Sequence, residues 1–114
     1  AEAGRVIDPD GLTAQLEGGV MQAASWALCE EVTWDRDGIT SRDWHSYPVI
    51  RFDNVPIIDT HLLGHPSDPS VGAGEASPGP TVAAIANAIR NCTGLRLQRM
   101  PFTADALRRA ALEG

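Results

Sequence analysis

At 114 residues, 43% of them hydrophobic, the chain has the length of one ordinary domain and can bury a modest core. A formal net charge of −6 and a pI near 4.8 exclude the basic footprint that nucleic-acid binding needs, because neutralising phosphates takes clustered cations. No apolar run approaches the roughly 18 to 20 residues that cross a bilayer as a helix, and no charged segment followed by an apolar one opens the chain as a signal peptide.

The first residues, Ala1-Glu2-Ala3-Gly4-Arg5-Val6-Ile7, lack an initiating Met and read as a strand already under way, as in a fragment or a processed subunit. Val6-Ile7 is expected to be a strand stub, ended by the turn Asp8-Pro9-Asp10-Gly11 with Asp10 able to cap the next helix. Leu12, Leu16, Val20, Ala23, Ala24, Ala27 and Leu28 recur at helical spacing and predict a long helix over residues 12 to about 31. Gly18-Gly19 interrupts it at about 1 kcal/mol per glycine relative to Ala, which suggests close packing against another element or a ligand.

Val32-Thr33-Trp34-Asp35 and Ile39-Thr40-Ser41 flank Arg36-Asp37-Gly38, and Asp-Gly between strand-like segments predicts a hairpin. Residues 43–56 are irregular, and residues 56–63 read as a strand leaving into a loop rich in proline, glycine and serine over 66–80. A helix is expected from 81 to about 91, stopping at Thr93-Gly94. Leu95-Arg96-Leu97 alternates like a short strand, and Thr103 is placed to cap a final helix. No repeat interrupts this order, which gives an α+β fold in a single domain over residues 1–114, with a long N-terminal helix, a hairpin and strand, an irregular loop and two C-terminal helices.

Within the loop, Gly72-Ala73-Gly74-Glu75 sets one carboxylate directly behind residues with almost no side chain, just ahead of a helix. Such a bend lets the backbone approach a ligand. On local pattern alone Glu75 is either a solvated turn acid or a carboxylate held at a site. Gln22, three residues after Gly19, lies on the helix face that the glycines open, where its amide meets either a ligand or solvent.

Other chemistries find little support. His61 and His65 have i, i+4 spacing but lie outside any predicted helix, and no acid completes a metalloprotease pattern with them or His45. No serine sits in a nucleophile elbow, and Gly72-Ala73-Gly74 lacks the third glycine of a dinucleotide fingerprint. Trp26, Trp34 and Trp44 are scattered, as core or interface residues are. Cys29 and Cys92 form no CxxC pair and are expected to be buried free thiols, with nothing favouring a disulfide between them.

Residues 15–22, Gln15-Leu16-Glu17-Gly18-Gly19-Val20-Met21-Gln22, then Glu30-Glu31-Val32, the 72–75 loop and the 84–89 helix together resemble one end of a known subunit. The likeness is to the C-terminal portion of the molybdenum-binding large subunit of the xanthine dehydrogenase and aldehyde oxidase family, and it covers nearly the whole chain. It is strongest toward bacterial members similar to isoquinoline 1-oxidoreductase and nicotinate dehydrogenase. Many members carry Gly-Glu-Pro-Pro where this chain has Gly74-Glu75-Ala76-Ser77, and Ala23 stands where a glycine usually follows the helix Gln.

The resemblance implies oxidative hydroxylation of an aromatic N-heterocycle or an aldehyde, with water as the oxygen source. It makes Glu75 the general base, Gln22 a hydrogen-bonding partner of the pterin cofactor, and Gly72, Ala73 and Gly74 the room beside the metal centre. It also implies a molybdenum–pterin cofactor in its cytosine dinucleotide form, with the metal held by the pterin and by no residue of this chain. Iron–sulfur clusters are implied on a partner subunit or domain. The chain then needs the remainder of the large subunit for activity, and self-association or a companion chain is expected. The competing reading is a non-catalytic domain of the same fold that serves subunit assembly.

Overall fold

The computed structural model describes residues 1–113. Helix α1 (Pro9–Leu28) begins where Asp8, in extended geometry, accepts a hydrogen bond from the Gly11 amide at 3.0 Å. Pro9 takes the first helical position, where no amide hydrogen is needed. Asp8 is therefore the cap, and Asp10 instead lies in the first turn, where its charge suits the helix dipole. The helix stops at Leu28 rather than near residue 31, because Cys29 leaves helical geometry while its amide still bonds the Ser25 carbonyl.

The apolar core runs along α1 and is made mostly of alanines. Ala3, Leu16, Ala23, Ala24, Ala27 and Phe102 are its buried members. Small residues let neighbouring backbone come close: the Phe102 amide donates to the Ala27 carbonyl at 2.6 Å. Buried Ser25 on the same helix accepts from the Ile50 amide through Oγ at 2.9 Å, tying the irregular middle of the chain to the helix.

Helix α2 (Pro78–Thr93) packs against α1 and ends at Gly94 in left-handed geometry. It starts three residues before the expected Thr81, since prolines in a first turn remove amides that have no helical acceptor anyway. None of its residues is buried, although one face lies on α1. Helix α3 (Ala104–Glu113) follows Thr103, whose hydroxyl accepts from the Ala106 amide at 3.1 Å, as anticipated.

The hairpin is present but short, with β1 (Trp34–Asp35) antiparallel to β2 (Gly38–Ile39) and Trp34 opposite Ile39. Its turn is Arg36-Asp37, so Gly38 lies in the second strand and not at the bend. Three helices with this one ribbon make the fold α+β. The other expected strands do not form. The chain bends at Gly4 before Val6-Ile7 can pair; residues 1–3 instead run beside 61–63, in a single parallel bridge between Glu2 and Leu63. Residues 56–63 find no edge to pair with beyond the bridge at Leu63, and 95–97 form no ladder. A β-favouring sequence makes a strand only where a partner edge exists.

The chain buries little of its own apolar surface. Phe52 and Ile57 are fully exposed, and Trp34 and Trp44 are each more than 70% exposed. Its radius of gyration is 17.4 Å, against about 13 Å for a compact domain of about 100 residues.

Candidate functional site

Helix α1 carries Ala14, Gln15, Gly18, Gly19, Gln22 and Trp26 along one face, as its 3.6-residue period requires. Opposite stands the turn at residues 74–77, immediately before α2. Between them is an open cavity of about 580 Å³, lined by that helix face together with Gly74, Glu75, Pro78 and Gly79. Its size falls within the ordinary range of small-molecule and cofactor sites, about 300–1,000 Å³.

Three contacts set the turn against the helix. The Gln15 side chain donates from Nε2 to the Gly74 carbonyl at 2.7 Å. The Ser77 hydroxyl donates to the Leu16 carbonyl at 3.0 Å. A Cβ at Gly19 would lie 2.2 Å from Ser77 Oγ and 3.4 Å from Pro78 Cδ, so glycine is what permits this approach. The paired glycines thus divide the work: Gly19 packs under the turn, while Gly18 meets nothing within 4 Å and opens on the cavity.

Glu75 and Gln22, the two polar residues singled out in the sequence, border the same cavity although 53 positions separate them. Both are exposed, which leaves the carboxylate and the amide free to meet a ligand. Gly74 borders the cavity as well. Ala73 lines an adjacent cavity of about 280 Å³ with Arg5, Asp8 and Val71, and Gly72 borders neither. Gly72 and Gly74 adopt ordinary negative or extended φ, so they contribute open space and not an unusual backbone.

Gln15 and Ser77 had no role at the site in the sequence reading, and Trp26, which borders the cavity, was read there as a core or interface residue. The signal for Gln15 was its place on the helix face that also carries Gly18, Gln22 and Trp26. Ser77 carried no such signal, because its partner Leu16 lies 61 residues away.

The remaining candidates lie elsewhere. His61 pairs with Asp59 at 3.2 Å and His65 with Ser67 at 2.7 Å, both on the surface. No group of three or more His, Cys, Asp or Glu side chains that could hold a metal exists among the described residues. Both cysteines are free, but only Cys29 is partly buried; Cys92 is exposed, in the last turn of α2 and beyond the residues of that helix that lie on α1. Burial raises the Cys29 thiol pKa, with help from the negative charge of Glu30. The Tyr47 hydroxyl donates to Glu30 at 2.7 Å, and that bond raises the phenol above its ordinary value. Asp43 is lowered by the Ser46 amide, then by the Ser46 hydroxyl and the His45 amide. None of these groups borders the cavity beside Glu75.

The cavity wall suits a flat, polar, ring-shaped cofactor. At Gly18, Gly74 and Gly79 the wall carries no side chain, with open space where each Cβ would stand. Gln22 brings an amide, with donor and acceptor side by side, to the same wall, a pairing of the kind a pterin edge can complement. Residues 1–56 match the molybdopterin cofactor-binding domain family, a span that holds α1 and the hairpin and ends before Glu75.

Among curated relatives, the chain is 39% identical over 113 residues to a nicotinate dehydrogenase subunit of Pseudomonas putida, covering 99% of this chain and 9% of that protein. It is 33% identical over 101 residues to the beta subunit of isoquinoline 1-oxidoreductase of Brevundimonas diminuta, covering 89% of this chain and 13% of the relative. The crystal structure of quinoline 2-oxidoreductase from Pseudomonas putida 86 superposes with a TM-score of 0.88 at 26% identity, over 98% of this chain and 15% of that one. The chain therefore belongs to the molybdenum-binding subunits of the xanthine dehydrogenase and aldehyde oxidase family, a family of oxidoreductases. It spans a small part of the length of these relatives.

Proposed function

We propose that this chain is the C-terminal piece of a molybdenum hydroxylase large subunit, in which it supplies the general base, Glu75, and part of the cofactor wall. The observation that carries this reading is the meeting of Glu75 and Gln22 across one cavity. The substrate class is an aromatic N-heterocycle or an aldehyde, and the names of the nicotinate, isoquinoline and quinoline relatives favour the heterocycle. The molybdenum–pterin cofactor, in its cytosine dinucleotide form, would supply the redox chemistry when bound, with water as the oxygen source.

The residues of this chain do the rest of the work on their side of the cavity. Gln22 would hold the pterin edge through its amide, and Gly74, with Gly72 and Ala73 behind it, leaves room beside the carboxylate. Glu75 takes a proton at a carboxylate oxygen from the group that becomes the nucleophile, as a general base must within hydrogen-bond reach. The remainder of the large subunit completes the cavity, and an iron–sulfur subunit or domain carries the electrons away.

Glu75→Gln in the complete enzyme keeps the shape and removes the base, so turnover is lost while molybdenum content stays unchanged. Turnover near that of the parent enzyme would remove the role assigned to Glu75. The exposure of Phe52, Ile57, Trp34 and Trp44 favours a second reading, a non-catalytic piece that serves subunit assembly. Metal analysis separates the two: a complex containing this chain carries stoichiometric molybdenum in the first case and none in the second.

A further inference from the structure

We propose that Gln15 and Ser77 are positioning residues, bracing both ends of the 74–77 turn against a single turn of α1 and so holding Glu75 over the cavity. The proposal rests on the reading of Glu75 as the base. Apart from the Ser77 carbonyl, which accepts from the Thr81 amide at 3.1 Å and the Thr81 hydroxyl at 2.8 Å within α2, the turn has little else to hold it. Its backbone bond from the Ala76 amide to the Ala73 carbonyl is 3.5 Å long, and neither Gly72 nor Gly74 has a side chain to anchor it.

The two side-chain bonds reach adjacent residues of the helix. Gln15 itself holds the Gly74 carbonyl at 2.7 Å, and the Leu16 carbonyl receives the Ser77 hydroxyl at 3.0 Å. Glu75 is thereby bracketed, with one bond on the residue before it and one two residues after. Ser77 gives up an alternative to do this. It is the N-cap residue of α2, yet its side chain makes no capping bond because the hydroxyl points to α1 instead. Gly19 completes the arrangement by leaving the space that Ser77 Oγ occupies. Small misplacements of a catalytic group are costly, with about 1 Å able to reduce rate 100-fold, so such a brace acts on turnover more than on binding.

The test uses the complete enzyme with Gln15→Leu, Ser77→Ala, Ser77→Thr and, in parallel, Glu75→Gln. Amide hydrogen exchange of residues 74–77 and the separate kcat and KM are measured, on whichever of nicotinate, quinoline and isoquinoline the parent enzyme oxidises fastest. Gln15→Leu and Ser77→Ala are each expected to speed exchange of the turn about fivefold, as loss of one hydrogen bond of about 1 kcal/mol implies. Each also lowers kcat about tenfold, with KM and molybdenum content unchanged, and Ser77→Thr, which keeps the hydroxyl, restores both. Exchange in the turn that is unchanged in both variants overturns the proposal, as does faster exchange with undiminished kcat. Glu75→Gln leaves the exchange of the turn as it was; if it also leaves turnover intact, the base assignment falls, and the exchange results still decide whether the brace exists.

Discussion

Adding one methyl group at Gly18 or at Gly19 has opposite expected effects on neighbouring positions of the same helix. In an exposed helix interior, Gly→Ala gains about 1 kcal/mol from backbone entropy. At Gly18 nothing lies within 4 Å of the new Cβ, so that gain stands alone. At Gly19 the Cβ would sit 2.2 Å from Ser77 Oγ. Ordinary contact requires the turn to retreat by on the order of 1 Å, or the hydroxyl to rotate away from the Leu16 carbonyl. Losing that hydrogen bond costs about 1 kcal/mol, and overpacking adds about 1–3 kcal/mol. The net expectation is that Gly18→Ala stabilises by about 1 kcal/mol while Gly19→Ala destabilises by about 1–3 kcal/mol, using the same terms. Native-state hydrogen exchange of the α1 amides in the complete subunit reads both as local opening free energies. Equal protection in the two variants, or greater protection in Gly19→Ala, would refute the division of labour between these glycines.

Asp8→Ala removes the cap from α1 and should cost about 1 kcal/mol, seen as faster exchange in the first turn while the last turn is unaffected. Asp10→Ala, which removes only a charge from the first turn, should have a smaller effect in the same measurement. Because the bond to Glu30 raises the Tyr47 pKa, Tyr47 should ionise at higher pH than a free tyrosine, and Glu30→Gln should bring its titration down. The sign follows from the raised folded value: the stabilisation is fully present below the ordinary tyrosine value of 10.0 and is lost as pH rises through the higher folded one. Site-specific labelling of Tyr47 and an NMR titration test it; a titration indifferent to Glu30 would contradict the shift.

Much of the architecture was legible in the residues themselves because it is local. The period of Leu16, Ala23, Ala24 and Ala27 determines α1, Asp37-Gly38 marks the hairpin, Gly94 stops α2 and Thr103 caps α3. Each depends on neighbours within a few positions, where dihedral preference and hydrogen-bond reach act directly. The misread ends of elements are also local, since Asp8 and Asp10 both suit a helix start and only backbone geometry selects one. The strands expected at 6–7, 56–63 and 95–97 fail for a different reason: extended propensity cannot say whether an edge will be there to receive it.

For the candidate site, the sequence by itself determined the chemistry: a carboxylate at Glu75, an amide at Gln22 and glycines beside them. Only the tertiary structure decided that they share a cavity, that Gly19 and not Gly18 carries the close contact, and that Gln15 and Ser77 join the helix to the turn. These contacts cross about sixty residues of chain. Hydrogen-bond and steric forces act over a few ångströms, so which distant groups feel them depends on how α1 and α2 pack.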